Sequence, residues 1–483
     1  MDNFSIFQFF EWNVPNDGAH WERLRTEARS LAEMGVGAVW IPPCCKGAEQ
    51  NSVGYDVYDL FDLGEFDQKG TVRTKYGTRA QLEAAIAEAH RQGIRVIADA
   101  VLNHKAGADA TERFQAVEVD PNDRNRVLSQ PFDIEGWTDF GFAGRGGCYS
   151  PFHWHYSHFN AVDRDELSKR CGIFKVYGEG KNWAADVDSE KGNYDYLMGA
   201  DIDYHNADVV EEIKRWALWF AQTFQIDGFR MDAVKHIEQS FVKLLIEHVR
   251  LNLRRDFFVV GEYWNADEAR LNRFIDESDQ EIQLFDVSLH YRFAEAGHKG
   301  RDYDLTHLFD QTLVSTNPFR AVTFVDNHDS QPGESLESWV EDWFKPLAYA
   351  LILLRRDGLP CVFYGDYYGI GGGPAAKKAL LDPLLLARKQ LAYGEEIDYF
   401  DHPNVIGFLR LGDAEHPRSG LAVLVSNGDE VTKRMAFGKA RAGQVFADRT
   451  GNRTERITLD GDGAATFTVN GGSVSVWAEV TEA

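Results

Sequence analysis

Four apolar runs in this chain each end on charged or polar side chains, and this repetition constrains the fold more than any other feature. The runs are RVIADAVLNH (95–104), GFRMDAVKH (228–236), FFVVGEYW (257–264) and AVTFVDNHD (321–329). Near-continuous apolar runs are typical of strands that are buried on both faces of a parallel sheet. In a parallel barrel the active site lies at the carboxyl ends of the strands, so these polar ends indicate a candidate site.

Alternating strand and helix patterns indicate that the sheet has eight strands. The other four apolar runs are FSIFQFF (4–10), GAVWIPP (37–43), EIQLFDVS (281–288) and LPCVFYGDYY (359–368). Between the runs, apolar residues recur at spacings of three and four, as in Trp21, Leu24, Ala28 and Leu31, which predicts amphipathic helices. Eight strand–helix units close a barrel, so the predicted fold class is α/β with a (β/α)8 TIM barrel.

Two stretches depart from the alternation and predict further domains. Residues 105–207 lie after strand three, where a βα loop usually has only about 2–6 residues, so we interpret them as an inserted domain B. From residue 398 to residue 483, short alternating strands separated by Gly, Asn and Asp turns predict a C-terminal antiparallel β-sandwich, domain C. The barrel, domain A, then comprises residues 1–104 and 208–397.

The charge balance restricts the classes of partner. Asp and Glu number 76 against 51 Lys and Arg, which gives a formal net charge of −25. This excess disfavours nucleic acid and anionic membranes as partners. It suits a neutral or cationic ligand, although the simpler interpretation is a well-solvated acidic surface. No uninterrupted apolar run reaches the length of a membrane span, and we expect a monomer without a membrane partner.

The cysteines and the first residues favour a cytoplasmic protein. The five cysteines are odd in number, two of them are adjacent (Cys44 and Cys45), and none has CxxC spacing, which argues against a disulfide framework or a zinc site. The chain opens MDNFSIFQFFEWN, without a basic leader, a long apolar segment or a small-residue cleavage site. From these two features we predict a cytoplasmic protein without a signal peptide.

Three strand-end acids are the candidate catalytic residues: Asp232, Glu262 and Asp329. Each acid taken alone could simply pair with a nearby cation, for example Asp232 with Arg230. Three acids at the same end of one barrel instead favour chemistry on a sugar bond by a nucleophilic carboxylate and a protonated one. Arg230 would favour an ionised nucleophile. Apolar neighbours of Glu262, such as Trp264, would favour a protonated acid.

Other polar and aromatic residues near the strand ends are candidates for substrate contact. His104 and His328 could donate to sugar hydroxyls, and Tyr55 could stack on a pyranose ring or pack beneath a loop. Asp99, Lys235 and His236 are weaker candidates, because each could also be an ordinary structural residue. A separate set of oxygen donors, Asn103, Asp195 and Asp201, could bind a hard cation such as calcium, or the two acids could be solvated loop residues.

With these residues assembled, the chain resembles the α-amylases of glycoside hydrolase family 13. Four family signatures occur in order as DAVLNH, GFRMDAVKH, GEYW and FVDNHD. Segments such as GNYDYLMGADIDY and SQPGESLESWV are similar to the liquefying amylases of bacilli and to intracellular bacterial α-amylases. The resemblance implies Asp232 as nucleophile, Glu262 as acid/base and Asp329 as the residue that grips and distorts the sugar. It implies substrate contact for the following residues: Tyr55, Asp99, His104, Arg230, Lys235, His236, Trp264 and His328.

The resemblance also implies one calcium site. Its ligands would be Asn103, Asp195, Asp201 and the carbonyl oxygen of His236. A neighbouring metal cluster of the secreted liquefying enzymes loses three carboxylates here, at the positions of Asn160, Ala184 and His205, although Asp203 remains. A further site between barrel and sandwich is also expected to be lost, because its acidic and histidine ligands align with Pro403, Asn404 and Asn427. We therefore expect one calcium ion and leave a second open.

The predicted function is endo-acting, retaining hydrolysis of internal α-1,4 bonds in starch, glycogen or maltodextrin. The expected partner is an α-glucan polysaccharide or a maltooligosaccharide. Two alternatives stay open at this point. A relative that produces defined maltooligosaccharides or transfers sugar to sugar would differ in its product profile. A glucan-binding protein without activity would bind without turnover, but such proteins usually lose one of the acids, and this chain has all three.

Overall fold

The computed structural model describes residues 3–480, so the ends of the predicted domains at residues 1 and 483 lie outside the described residues. The first part of the barrel alternates strand and helix. Its elements are β1 (Ser5–Gln8), α1 (His20–Met34), β2 (Val36–Ile41), β3 (Lys46–Gly47), β4 (Val57–Asp59), α2 (Arg79–Arg91) and β5 (Arg95–Ala100).

A seven-stranded antiparallel sheet separates this part from the rest of the barrel. Its strands are β6 (His104–Lys105), β7 (Ala110–Asp120), β8 (Asp123–Val127), β9 (Phe132–Asp139), β10 (Phe159–Asp165), β11 (Arg170–Val176) and β12 (Ala200–Ile202). The prediction that strand three extends to Asn103 and His104 is wrong, because β5 ends at Ala100. Beyond it the Asn103 carbonyl accepts from Ile202 N (3.0 Å), which draws the chain into the antiparallel sheet.

The chain then completes the barrel. The elements are α3 (Ala207–Phe224), β13 (Gly228–Met231), α4 (Gln239–Asn252), β14 (Phe258–Gly261), α5 (Glu268–Glu277), β15 (Gln283–Phe285), α6 (Val287–Lys299), α7 (Leu313–Thr316), β16 (Ala321–Phe324), α8 (Lys345–Leu354), β17 (Leu359–Phe363), α9 (Tyr364–Tyr368) and α10 (Lys378–Leu391). Strands β1, β2, β5 and β13 to β17 close into a parallel barrel, which confirms the predicted fold class. None of the helices within residues 3–480 has the length and apolar character needed to cross a bilayer.

The C-terminal part is antiparallel throughout. It contains β18 (Glu396–Tyr399), β19 (Val405–Arg410), β20 (Leu421–Ser426), β21 (Val431–Ala436), β22 (Val445–Asp448), β23 (Arg456–Thr458), β24 (Ala464–Val469) and β25 (Ser473–Glu479). Six of these strands form one sheet, and β21 pairs with β24 in a second. Phe446, Phe467 and Trp477 belong to the core of this part. The antiparallel C-terminal sheets agree with the predicted sandwich, whereas the exact domain limits remain a prediction.

Local sequence signals set the helix ends and the barrel core. A capping box in which Thr78 and Gln81 bond each other's backbone starts α2, and Gly35 at φ 94° ends α1 in a conformation that glycine adopts without steric cost. Apolar side chains fill the inside of the barrel, among them Trp40, Phe285 and Phe324. This packed interior is the floor beneath the carboxyl-end face, where the polar residues of four strands meet.

Candidate active site

A single guanidinium group lies at the centre of the carboxyl-end face. Arg230 is completely buried and donates from Nη1 to Asp99 Oδ1 (3.0 Å) and to Asp232 Oδ1 (2.6 Å). Its Nη2 donates to Glu262 Oε2 at 2.5 Å. One cation therefore joins two of the predicted catalytic acids across neighbouring strands. The shared guanidinium holds these two carboxylates beside each other, and a retaining glycosidase needs a nucleophile and an acid ~5–5.5 Å apart.

Strand register and a strained turn position these side chains. Arg230 of β13 pairs with Asp99 of β5 on one side and with a residue of β14 on the other, so all three strands contribute at one level. After β13 the chain turns at Ala233, whose φ of 50° lies in the left-handed region. That conformation costs a non-glycine residue about 1–2 kcal/mol. The Ala233 amide donates to Glu262 Oε2 (3.3 Å), so backbone and arginine together hold this carboxyl group.

Burial is the main influence on the pKa values of the acids in the site, because a single arginine faces several of them. Burial raises the pKa of Asp99 to about 6 and that of Asp329 to about 7, in both cases against the pull of Arg230. Burial also raises the pKa of Glu262 well above its usual range; Arg230 opposes this, and the charge of Asp232 adds to it. A carboxyl group that keeps its proton near neutral pH can act as a general acid.

A buried network holds the turn that carries Asp329. Asn327 Oδ1 accepts from the amides of Asp329 and Ser330, both at 2.9 Å. Ser330 Oγ donates to Asp326 Oδ1 (2.7 Å), and Lys345 Nζ of α8 donates to Asp326 Oδ2 (2.6 Å). Lys345 is completely buried and also bonds Asp366, so its loss would leave two buried carboxyl groups without their counter-charge. Helix α8, on the outer side of the barrel strands, therefore helps to hold the turn that carries Asp329.

One wall of the site is aromatic. Trp40 Nε1 and Tyr55 OH donate to the same oxygen of Asp99, at 3.0 and 2.8 Å. The Tyr55 ring stacks on Trp12 with centroids 5.6 Å apart and on His328 with centroids 5.1 Å apart. The structure thus brings Tyr55, Asp99 and His328 into the site. Tyr55 was predicted to stack on a sugar or to pack within the protein. Its stacking on Trp12 and His328 supports the second interpretation.

His104 and Trp264 flank the site at two further positions. His104 Nε2 lies 2.8 Å from the carbonyl oxygen of Tyr55. Burial lowers the pKa of the His104 ring, while the charge of Asp232 opposes the shift, so the ring is neutral near neutral pH. Trp264 follows the end of β14 and donates from Nε1 to Tyr291 OH (3.0 Å). His104 therefore adds a polar group to the boundary of the site, and Trp264 adds an apolar surface.

Lys235 and His236 lie where the inserted sheet meets the barrel. Lys235 Nζ donates to Glu190 Oε2 (3.3 Å), and His236 Nδ1 lies 2.7 Å from the carbonyl oxygen of Tyr194. Among the described residues, none of their side-chain hydrogen bonds reaches the three candidate catalytic acids. A cavity of about 810 Å³ lies beside them, between the insertion, α4 and α5, and Lys235 is the one predicted site residue that lines it.

The predicted oxygen ligands lie at the same junction between the inserted sheet and the barrel. Asp195 Oδ2 accepts from the Ala184 amide (2.9 Å) and from Asn160 Nδ2 (3.2 Å). Asp201 Oδ2 and Asn160 Oδ1 are buried without a hydrogen-bond partner among residues 3–480. Burial raises the pKa of Asp195 to about 7 and that of Asp201 well above its usual range. Buried oxygens without donors fit a hard cation, which takes carboxylate, amide and carbonyl oxygens.

Backbone pairing connects Asn103 with this group. Asn103 precedes His104, which pairs with Asp201 across β6 and β12. Within residues 3–480, no three or more His, Cys, Asp or Glu side chains are placed to hold a metal ion. A cation bound here would therefore rely on two acids together with amide and backbone oxygens. That donor set is the one predicted from Asn103, Asp195, Asp201 and the His236 carbonyl.

A lysine ammonium group lies where the neighbouring metal cluster was predicted to be weakened. Lys181 Nζ donates to Asp203 Oδ2 (2.5 Å) and to the carbonyl oxygens of Ser157 (2.6 Å) and Phe159 (3.2 Å). His205 Nδ1 lies 3.4 Å from the other oxygen of Asp203. The surviving carboxylate of the cluster thus has a counter-charge that is part of the chain.

Amide side chains join the barrel to the C-terminal sheets. Asn427 Nδ2 donates to the carbonyl oxygens of Gly300 (2.9 Å) and Tyr303 (2.8 Å). Asn404 Nδ2 donates to the Arg301 carbonyl (2.6 Å) and to Asn427 Oδ1 (3.0 Å). Neutral amides therefore satisfy the carbonyl groups at the junction for which the sequence predicted the loss of a metal site.

Sequence patterns missed several residues that the fold brings to the site. Gln8, Trp12 and Trp40 come from the first two βα units, and Lys345 comes from α8. The one signal that could have revealed Gln8 is its position as a polar residue at the carboxyl end of a strand, the same signal that identified the acids. Nothing in the local sequence around Lys345 indicates that it reaches Asp326.

Comparison with known proteins gives consistent matches along the whole chain. A family model described as the catalytic domain of alpha amylase matches residues 27–390. The chain is 52% identical to an α-amylase of Bacillus licheniformis (99% of this chain, 94% of the relative). It is 52% identical to a glucan 1,4-α-maltohexaosidase of Bacillus sp. strain 707 (98% and 92%). It is 46% identical to a cytoplasmic α-amylase of Escherichia coli (99% of each). A solved Anoxybacillus α-amylase shares the fold at 18% identity, with a TM-score of 0.67 and coverage of 100% of this chain and 99% of that one.

Proposed function

The chain belongs to the α-amylase family of glycoside hydrolases, and from this membership we propose that it cleaves internal α-1,4 bonds of starch, glycogen or maltodextrin with retention of configuration. The observation that supports this most directly is the guanidinium group of Arg230, which is shared by Asp232 and Glu262. This contact supports the proposal, because the candidate nucleophile then lies beside a carboxyl group whose pKa burial raises well above its usual range. Retaining hydrolysis requires this pair.

The reaction proceeds in two displacements. Asp232 attacks the anomeric carbon and forms a covalent glycosyl ester, while Glu262 transfers its proton to the leaving oxygen. The ionised Glu262 then takes a proton from water, whose oxygen attacks the same carbon and releases Asp232 as a carboxylate. Asp329 accepts hydrogen bonds from the hydroxyl groups of the sugar that reacts. The network around Lys345 holds that acid in place during both steps.

The remaining site residues orient the glucan. Tyr55, Asp99, His104, Arg230 and His328 surround the position of the reacting sugar. Lys235 and His236 lie toward the insertion and contact the leaving part of the glucan. Trp264, whose ring packs against Tyr291 and Phe324, contacts the glucan next to Glu262. The substrate class is therefore an α-glucan polymer or a maltooligosaccharide.

Digestion of soluble starch tests this function. We expect iodine staining to fall much faster than reducing ends accumulate, because cuts within the chain shorten the polymer before small sugars form. The new reducing ends should have the α configuration when they are observed by proton NMR immediately after cleavage. Release of β-configured sugar, or reducing ends that appear in step with the loss of staining, would contradict the proposal.

A maltooligosaccharide-producing enzyme is the second candidate, and the 52% identity to a maltohexaosidase supports it. The two candidates share the catalytic residues and differ in where the glucan chain stops along the cleft. Chromatography of early products from a long maltodextrin distinguishes them. A single dominant oligosaccharide would favour the second candidate, whereas a broad range of lengths favours the first. Products longer than the substrate would indicate transfer to sugar instead of water.

One calcium ion fits the junction between the insertion and the barrel. Asn103, Asp195, Asp201 and the His236 carbonyl would hold it, and the partnerless oxygen of Asp201 is the structural reason. A bound cation would neutralise two acids whose ionisation burial opposes; for Asp201 the charge of Asp195 adds to that opposition. It would thereby stabilise the attachment of the insertion beside the active site.

Calcium should therefore stabilise the folded protein. At about 100 times its Kd, a ligand that binds only the folded state adds about 2.7 kcal/mol to the free energy of unfolding. We expect the melting temperature to fall when EGTA replaces calcium, and Asp201→Asn to remove most of that difference. Asp165→Asn is the matched control, because Asp165 lies in the same sheet and its carboxylate already accepts from the backbone amides of Glu135 and Leu167. Equal melting temperatures with calcium and with EGTA in the unmodified protein would rule out the site.

We also propose a cytoplasmic location. All five cysteines are free thiols, and burial raises the pKa of Cys45 and Cys361 to about 12, which keeps them unreactive. Free thiols are typical of reducing compartments. The Escherichia coli relative, 46% identical over nearly the whole chain, carries the same location in its name.

A further inference from the structure

His328 has one ring nitrogen in a defined contact and the other close to Asp329 without a hydrogen bond. The ring is completely buried. Gln8 Nε2, at the end of β1, lies 3.0 Å from His328 Nδ1. On the opposite side, His328 Nε2 lies 3.3 Å from Asp329 Oδ2, and it makes no hydrogen bond within residues 3–480. Tyr55 stacks on the ring, so the ring cannot rotate without disturbing the aromatic wall.

A neutral imidazole in this position has two tautomers. Burial, with the nearby charge of Arg230, lowers the pKa of His328 well below its usual range, so the ring is uncharged at neutral pH. One tautomer carries its proton on Nε2 and leaves Nδ1 as an acceptor; the other reverses these roles. The surroundings on both sides of the ring decide between them.

Both neighbours favour the proton on Nε2. An amide NH2 group at Nδ1 needs an acceptor, which only the Nε2-protonated ring supplies. The opposite tautomer would place the lone pair of Nε2 close to a carboxylate oxygen, 3.3 Å from the nitrogen. That arrangement is repulsive whenever Asp329 is ionised. The Nε2-protonated ring instead presents an N–H group to the site beside a carboxylate that accepts.

We propose that Gln8 is a positioning residue that fixes the tautomer of His328, so that His328 and Asp329 offer the substrate a matched donor and acceptor. The inference rests on the proposed function, because the substrate hydroxyls between these two side chains belong to the sugar that reacts. Hydrogen bonds of this kind strengthen in the oxocarbenium-like transition state. Gln8 itself does not touch the substrate, and its effect is transmitted through His328.

Nitrogen NMR of protein labelled with ¹⁵N-histidine tests the tautomer without any measurement of activity. We expect Nδ1 of His328 to resonate as an unprotonated nitrogen and Nε2 as a protonated one, the signals being assigned by their loss in His328→Phe. In Gln8→Glu the carboxylate accepts from Nδ1, so the pattern should reverse or both nitrogens should become protonated. Gln8→Met should give signals averaged between the two tautomers. A protonated Nδ1 in the unmodified protein, or no change in either variant, overturns the proposal.

Kinetics provide the second measurement. Loss of one transition-state hydrogen bond corresponds to roughly a tenfold to hundredfold decrease in rate. We expect Gln8→Met and Gln8→Glu to lower kcat/KM for maltoheptaose by that factor, chiefly through kcat. Gln283→Met is the matched control, because Gln283 lies on another barrel strand, β15, and should leave the rate unchanged. If the NMR pattern is as expected but no glucan is hydrolysed, the proposed function fails and the tautomer assignment stands.

Discussion

Replacing Asp232 with asparagine should abolish glucan hydrolysis, with kcat reduced by about 10⁴-fold or more. The amide has nearly the same shape as the carboxylate but cannot form the glycosyl ester, so the first displacement has no nucleophile. The protein should still fold, because Arg230 keeps its contacts with Asp99 and Glu262. Initial rates on a chromogenic maltooligosaccharide measure the loss, and the melting temperature verifies the fold.

Two further observations make this prediction specific. Asp165→Asn, the same exchange in the inserted sheet, should retain full activity. With unmodified protein and a fluorinated glycosyl fluoride that slows the second displacement, mass spectrometry should find the sugar attached to Asp232. Substantial activity in Asp232→Asn, or a label on another carboxylate, would refute the assignment of the nucleophile.

Replacing Glu262 with glutamine should lower the rate on starch by about 10²–10⁴-fold, the range over which a positioned general acid contributes. The loss in kcat/KM should be far smaller for a maltooligosyl fluoride, because fluoride leaves without protonation and kcat/KM does not include the second displacement, in which Glu262 acts as the base. The unmodified enzyme should lose kcat/KM on starch as the pH rises through the raised pKa of Glu262, since the ionised form has no proton to give. In Glu262→Gln, with the fluoride as substrate, this alkaline decrease should be absent.

Asp329→Asn provides the contrast for Glu262→Gln. Asp329 binds sugar hydroxyls and gives no proton to the leaving group, so its replacement should affect starch and the fluoride to a similar extent. If Glu262→Gln also affected both substrates equally, Glu262 would not be the acid. The pair of variants thus separates proton transfer from binding.

The sequence predicted the barrel because its signal is repeated and local. Each strand is a short apolar run between helical patterns, and the polar residues at the ends of such runs identified Asp232, Glu262 and Asp329. The simple alternative for Asp232, an ion pair with Arg230, is also present in the structure. In this site that ion pair is part of the arrangement that holds the two acids together.

Other features could not be predicted because they depend on tertiary contacts between distant parts of the chain. Gln8 and His328 are 320 residues apart, and no periodicity links them. Lys345 is buried against Asp326 although it begins a helix, where a lysine is usually solvated. The strand boundary at Ala100 was also missed, since the polar residues after it resemble a strand end but belong to the inserted sheet.

Lys181 gives the insertion a positive charge that cannot be lost by dilution. A dissolved metal ion leaves its site when its concentration falls or when a chelator competes for it, whereas an ammonium group tethered by its own side chain remains beside Asp203. These contacts join separate segments of the insertion, and they are consequently independent of the divalent ions in the surrounding medium. This part of the insertion can therefore keep its shape where free calcium is scarce.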